Sequence, residues 1–373
     1  MTAIFDKRNL RDFDWVIAIL PILIVSFGVW QIYNAQPTEA FWQKQIIGLL
    51  ISFSVMLLIA FADYRFLIER SWIFYLFGLL LLVMVVVPGV GMKINGHQSW
   101  IKIPLIGQFQ PSEFVKIPVV LMLARYFGKP RTHGLTIKEF LIGIAILVVP
   151  LALIMLEPDA GTSVTFFPLL AAVLFLSSFK IRWMLLAIVA CLIFLPAAYW
   201  VGVKTGKIKA YQQKRITNLL DPESADPRSD GYQTAESIIT VGEGGLTGSH
   251  ENPEFAQGAL KFLPEPQSDF IFAVTAENTG FIGCILLLLA YLILLMRLIK
   301  IASLAGERSG MLVIMAITAE LAFQIFMNVG MAVGFMPVIG VPLPMMSAGL
   351  SSLLATFIAI GFALSVKMRR FVN

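Results

Sequence analysis

FIFAVTAENTGFIGCILLLLAYLILLM, residues 270–296, runs for 27 residues with a single charged side chain, Glu277. About 20 largely apolar residues suffice to carry an α-helix across ~30 Å of hydrocarbon. The stretch therefore reads as a membrane-spanning helix. At its mouth stands Asp269, preceded by FLPEPQS (262–268). An aspartate there has two readings: it caps the helix, or it does chemistry at the membrane surface.

Working outward, the rest of the chain has the same character. Hydrophobic residues make up 58% of its 373 residues, and charged residues 14%. The mean hydropathy is +0.83, far from that of a soluble protein. Ten apolar stretches are long enough to be spans: 14–33, 44–62, 72–90, 112–127, 139–156, 160–178, 183–201, 270–297, 309–333 and 346–366. With the N-terminus inside, 17 of the 28 Lys and Arg lie near the inner ends of spans. Four lie in short outer segments and seven in one long outer loop, which the positive-inside rule does not count. The expected fold is an all-α polytopic membrane protein of about ten transmembrane helices. Its N- and C-termini are cytoplasmic, and a large extracytoplasmic loop lies between the seventh and eighth spans. We read residues 1–373 as a single integral membrane domain, with 202–268 as the loop within it.

This pattern excludes other classes. The pI of about 9.1 follows from topology and needs no nucleic-acid partner. The segment MTAIFDKRNLRDFDW (1–15) lacks the short apolar core and small-residue site of a cleavable signal. Cys191 and Cys284 both fall inside predicted spans, which argues for packing roles over a disulfide. His97, His133 and His250 are far apart, with His133 on the opposite side of the membrane from the other two. No zinc spacing and no Ser-His-Asp arrangement emerges. Carboxylates are left as the groups capable of chemistry.

The polar residues concentrate at the outer face. Residues 202–268 contain Lys214, Arg215 and nine acids, with aromatic and aliphatic punctuation. We expect a folded cap with short amphipathic helices near 209–220 and 232–241. Within it, GEGGLTGS (242–249) is either a flexible turn or an anion-holding turn of successive N–H groups. Glu113 and Lys116 share a helix face at i, i+3, as a structural ion pair or as a working one. Glu157 and Asp159 sit in a tight outer turn, where capping of the following helix is the plain reading. Glu320, Gln324 and Asn328 form a stripe at i, i+4 and i+8, which fits interhelical hydrogen bonding or the wall of a wet cavity.

The runs FQPSEFVK (109–116), EPDAGTS (157–163), GYQTAESI (231–238), GEGGLTG (242–248), FLPEPQSDFIFAVTAE (262–277) and NVGMAVGFMPVIGVPLP (328–344) together resemble the SEDS family, the bacterial shape, elongation, division and sporulation proteins. GVPLP (340–344) and the short N-terminus resemble the elongation branch more than the division branch. The resemblance implies a peptidoglycan glycosyltransferase of the bacterial inner (cell) membrane that polymerises lipid II on its outer face. It implies a class B penicillin-binding protein as partner, alongside other elongation-complex proteins and membrane lipids. The family's essential acid falls on Asp269, and its paired acid and base on Glu113 and Lys116. The chain departs from the family pattern at Gln267 and Ser268, where His and Thr are usual. It departs again at Asn278 after Glu277, and in SAGLSS (347–352).

On this reading Asp269 is the general base on the acceptor 4-hydroxyl, and the donor inverts. Lys116, Lys214 or Arg215 hold the pyrophosphate, with Glu113 orienting Lys116. Asp159, Gln233, Ser237 and Glu277 are supporting candidates. No metal ligand set follows from spacing, although a divalent cation such as Mg or Mn is compatible with the carboxylates. The rivals are a division-type polymerase, a lipid II flippase, another polyprenyl-linked glycosyltransferase and a non-catalytic scaffold.

Overall fold

The computed structural model describes residues 12–87, 89–94, 97–103, 107–129, 135–157, 159–177, 203, 230–249, 263 and 265–371. In these, eleven helices and three strands follow in chain order. They are α1 (Trp15–Ala35), α2 (Phe41–Phe61), α3 (Tyr64–Glu69), α4 (Ser71–Val86), β1 (Gly91–Ile94), β2 (His97–Ile103), β3 (Gly107–Phe109), α5 (Pro111–Phe127), α6 (Ile137–Leu156), α7 (Ala160–Leu176), α8 (Asp230–Glu243), α9 (Ile271–Ser303), α10 (Arg308–Ala332) and α11 (Leu350–Met368). Nine of the ten expected spans coincide with helices. The tenth, 183–201, lies outside the described residues, as do the expected helix at 209–220, Lys214, Arg215, Cys191, His133 and His250. By length and apolarity, α1, α2, α6, α9, α10 and α11 can each cross a membrane. The protein is a mostly helical, integral membrane protein.

Local chemistry sets the helix boundaries. Asp14 begins α1 by accepting from Val16 N and Ile17 N. Thr136 and Glu139 form a reciprocal capping box on α6. The described polypeptide has a consistent polarity. Asp14 at the start of α1 pairs with Lys367 at the end of α11. Arg308 at the start of α10 donates to Leu176 O at the end of α7. Arg125 and Lys300 stand in the last turns of α5 and α9. These groups mark one basic end of the bundle, and the starts of α5, α7 and α9 gather at the other.

The helices touch closely where side chains are small. A Cβ on Gly28 of α1 would lie 2.8 Å from Met346 O, and one on Gly361 of α11 would lie 2.8 Å from Met56 O of α2. Such contacts drive helix association in lipid, where apolar burial alone has no preference for protein over solvent. α10 and α11 are mostly buried and form the centre, while α2 and α6 leave much of their apolar surface outward.

Two features depart from an all-α expectation of simple spans. The segment between α4 and α5 is a three-stranded antiparallel sheet in the order β1-β2-β3, with Gly91 opposite Ile101 and Ile101 opposite Phe109. Gln98 Nε2 ties it to Val85 O, and Ser99 Oγ ties it to Glu157 O. The second is a break in α9. Its 33 residues would reach ~50 Å, well beyond the hydrocarbon thickness. Gly280 (φ 64°, ψ −167°) divides it into a short arm beginning beside Asp269 and a longer apolar arm.

Candidate active site

The site is assembled from the non-basic end of the bundle. α9 begins at Ile271 with Phe270 at the N-cap position, and that residue contributes no side-chain cap. Asp269 therefore stands one residue outside the helix and is not its N-cap residue. Its main chain is fixed by an unusual run of contacts. Three successive carbonyls are each held by a different group: Gln267 O accepts from Ala348 N (2.8 Å), Ser268 O from Ser347 Oγ (2.6 Å) and Asp269 O from Asn328 Nδ2 (2.9 Å). Asn328 also donates to Val341 O at 2.8 Å, so one amide joins α10, the Asp269 segment and the GVPLP run. Ser347 Oγ in turn accepts from Leu343 N. Two non-glycine residues with positive φ, Glu265 (48°) and Met345 (67°), flank this knot. Such backbone outliers persist where surrounding contacts over-determine them.

The half-buried Asp269 carboxylate faces Gly340, where a Cβ would lie 3.4 Å from Oδ2. Gly340 has φ 73° and is itself overlaid by Gly161 of α7, whose Cβ would lie 2.8 Å from Gly340 O. The EPDAGTS turn thus packs directly behind the GVPLP run. Asp159 caps α7 as expected, accepting from Thr162 N at 3.0 Å. It does more than cap. Its Oδ2 also accepts from Gln110 Nε2 (2.7 Å), Thr162 Oγ1 (2.8 Å) and Ser112 Oγ (3.5 Å), which joins it to the FQPSEFVK motif. Gln110 N donates to Ser351 Oγ at the start of α11.

Glu157, two residues earlier, is 1% exposed, and among the described residues neither carboxylate oxygen has a hydrogen-bond partner. Burial, reinforced by the neighbouring charge of Asp159, pushes it up to about 8. Both effects favour its neutral form over the carboxylate.

Glu113 and Lys116 are paired at 2.9 Å, and Lys116 Nζ lies 2.6 Å from Glu320 Oε1 of α10. All three are buried. Two of the three stripe residues on α10 thus bond to other segments, and Gln324 between them is buried with no hydrogen-bond partner for its Nε2 among the described residues. Glu320 binds α5, Asn328 binds the Asp269 segment, and eight residues of helix, ~12 Å, separate them. Glu320 and Asn328 were legible only as polar positions on one face; their partners lie 204 and 59 residues away.

The remaining sequence candidates sort by what they touch. Ser237 Oγ donates to Ala332 O, satisfying a carbonyl at the end of α10. Gln233 is half-buried on the same helix, α8. Glu277 is buried in the short arm of α9, and its carbonyl accepts from Ser249 N at 2.8 Å and Ser249 Oγ at 3.2 Å. GEGGLTG is held as a defined turn through its carbonyls. It is spliced into the break of α9: Phe281 N donates to Gly245 O (2.9 Å) and Ile282 N to Leu246 O (3.1 Å). A break in a helix leaves N–H groups without intrahelical acceptors, and these two carbonyls replace them. A Cβ on Gly280 would lie 2.4 Å from Thr247 N, so the approach requires glycine.

With this geometry in hand, comparison with known proteins identifies the lineage. A family model described as Cell cycle protein, FtsW/RodA/SpoVE, matches residues 12–371. The chain belongs to this SEDS family. Among SEDS relatives, Peptidoglycan glycosyltransferase MrdB of Escherichia coli K12 is 33% identical over 369 residues, covering 98% of this chain and 95% of that protein. Stage V sporulation protein E of Bacillus subtilis is 33% identical over 370 residues, covering 95% and 96%. A solved chain from a peptidoglycan synthase complex that coordinates polymerization and crosslinking superposes with a TM-score of 0.82 at 30% identity, covering 97% of this chain and 99% of that one. Of the motifs that carried the SEDS resemblance, FQPSEFVK, EPDAGTS and the GVPLP run join up beside the Asp269 segment, whereas GYQTAESI packs on the end of α10 and GEGGLTG on the break in α9.

Proposed function

We propose that this protein polymerises lipid II into glycan strands at the outer face of the bacterial inner membrane, with Asp269 as general base. The observation that carries the reading is the pinning of three consecutive carbonyls at 267–269. A helix cap needs no such support. A base that must meet an acceptor hydroxyl at ~3 Å does. Asp269 takes the proton from the 4-hydroxyl of the acceptor GlcNAc as that oxygen bonds to the anomeric carbon of the donor. The bond from that carbon to the polyprenyl pyrophosphate breaks on the opposite side, and an α-linked donor gives a β-linked product. The proton resides on Asp269, and the pyrophosphate departs as an anion.

Lys116 commits two of its three N–H donors to Glu113 and Glu320, so at most one remains for a phosphate. Pyrophosphate binding then falls mainly to Lys214 and Arg215, which lie outside the described residues. Among the described residues no three His, Cys, Asp or Glu side chains converge as a cation site, and no step here is routed through one. GVPLP and the resemblance to MrdB support an elongation role, and the likeness to a synthase complex supports a class B penicillin-binding protein partner.

The test is polymerisation of purified lipid II by the protein with its cognate penicillin-binding protein, comparing wild type with Asp269→Asn. The Asn variant preserves size and one acceptor oxygen but cannot accept the proton. Strands from wild type and none from a folded Asn variant support the assignment. Equal strands from both overturn it.

A further inference from the structure

A cavity of about 720 Å³ opens at the basic end of the bundle, remote from Asp269. It lies between α3, α4, the end of α5 and the start of α10. It is within the size range of small-ligand sites. Four bases line it, Arg65, Arg70, Arg125 and Lys129, against two acids, Glu69 and Glu307. Arg65 is paired with Glu307 at 2.7 Å. The Arg70 guanidinium lies 4.8 Å from the centre of the Phe66 ring, which leaves its N–H donors available. Among the described residues, the side chains of Arg70, Arg125 and Lys129 have no carboxylate or hydrogen-bond partner. The cavity is shaped by a close backbone approach, since a Cβ on Gly128 at the end of α5 would lie 2.9 Å from Ser309 Cα. Trp72 (46% exposed) and Ile73 (42%) complete its lining on the α4 side.

We propose that this cavity binds the phosphate headgroup of an anionic phospholipid of the inner leaflet. Three unpartnered bases converging in one concavity exceed what topology requires, because the positive-inside rule asks only for bases near span ends. Basic pockets between helix ends at the cytoplasmic interface match lipid phosphates in charge and in depth. The exposed Trp72 and Ile73 favour a lipid over a soluble anion, as an amphipathic aromatic and an aliphatic side chain would meet the glycerol and acyl region. Glu69 opposes the ligand and limits its affinity.

The full-length protein in detergent is titrated with phosphatidylglycerol or phosphatidylcholine, and retained lipid is counted by native mass spectrometry. Wild type is expected to prefer phosphatidylglycerol. R125Q/K129Q loses that preference by about fivefold per base removed, and the single R70Q by about fivefold. E69Q gains affinity. The control K138Q/K300Q, which removes two exposed bases elsewhere at the same end, keeps it. Wild-type preference in both R125Q/K129Q and R70Q overturns the proposal, as does an equal loss in K138Q/K300Q. Displacement of the lipid by inorganic phosphate at equal concentration assigns the site to a soluble anion instead. Displacement by a hepta-glutamate peptide assigns it to an acidic protein segment. R70Q guards against misfolding of the double variant.

Discussion

Replacing Asn328 with alanine should loosen the Asp269 segment and lower activity out of proportion to the side chain removed. Asn328 is fully buried, and its amide donates to both Asp269 O and Val341 O. Asn328→Ala strands two carbonyls, Val341 O buried and Asp269 O partly buried, each costing about 1–3 kcal/mol, so the expected loss is about 2–6 kcal/mol. Asn328→Asp should be worse, because it replaces two donors with an acceptor facing carbonyl oxygens. Gln267 O and Ser268 O keep their partners on the 347–348 turn. The segment should therefore shift at its Asp269 end without detaching. A displacement of about 1 Å at a reacting group can lower a rate by about 10²-fold. Thermal unfolding in detergent reads the first effect, and lipid II polymerisation per folded molecule reads the second. Wild-type rate per folded molecule in Asn328→Ala would refute the clamp argument, even with a lowered unfolding temperature. Wild-type behaviour in both assays would remove Asn328 from the site altogether.

Lys116→Met should destabilise by about 3–5 kcal/mol, since it leaves Glu113 and Glu320 buried without their cation, whereas Glu320→Gln leaves a complete pair and should cost less; comparing their unfolding temperatures tests the order, and a milder Lys116→Met contradicts the triad. Glu157 titrates near 8 when folded and near 4.5 when unfolded, so the fold favours its neutral form. Its contribution is full below about 4.5, declines as pH rises and is lost above about 8, a swing on the order of 2–4 kcal/mol after allowance for relaxation. Glu157→Gln should flatten that slope and unfold at a higher temperature than wild type near pH 9; an unchanged slope between pH 5 and 8 counts against the buried acid.

Much of this arrangement was legible in the sequence because bilayer physics leaves few options. Apolar runs of the right length became helices, Asp159 became a cap, and 232–241 became the amphipathic α8. The small sheet at 91–109 escaped notice because strands of three to seven residues carry too little alternation to stand out between two spans. The Lys116–Glu320 contact was out of reach for another reason. The i, i+3 spacing to Glu113 offered a complete local pair, and nothing in a single sequence indicates a third member 204 residues away. The splice of GEGGLTG into α9 was hidden likewise, because the glycines answer to backbone crowding across the fold and not to their own turn.

That distinction bears on the positions where the sequence departs from the motifs it resembles. At 267 and 268 the structure engages main-chain carbonyls, with Ala348 N and Ser347 Oγ as donors. The Gln267 side chain bonds Glu265 within its own turn at 2.8 Å, so a different side chain there leaves the carbonyl contact intact. Ala348 likewise contributes its N–H, which any residue except proline supplies. Asn278 meets Gln31 of α1 through its own amide, a pair that can change together. By contrast, Asn328, Ser347 and Ser351 act through side-chain atoms that no apolar residue can replace. Variation at 267, 268, 278 and 348 is thus compatible with a preserved Asp269 geometry, and loss of the amide at 328 or the hydroxyl at 347 is not.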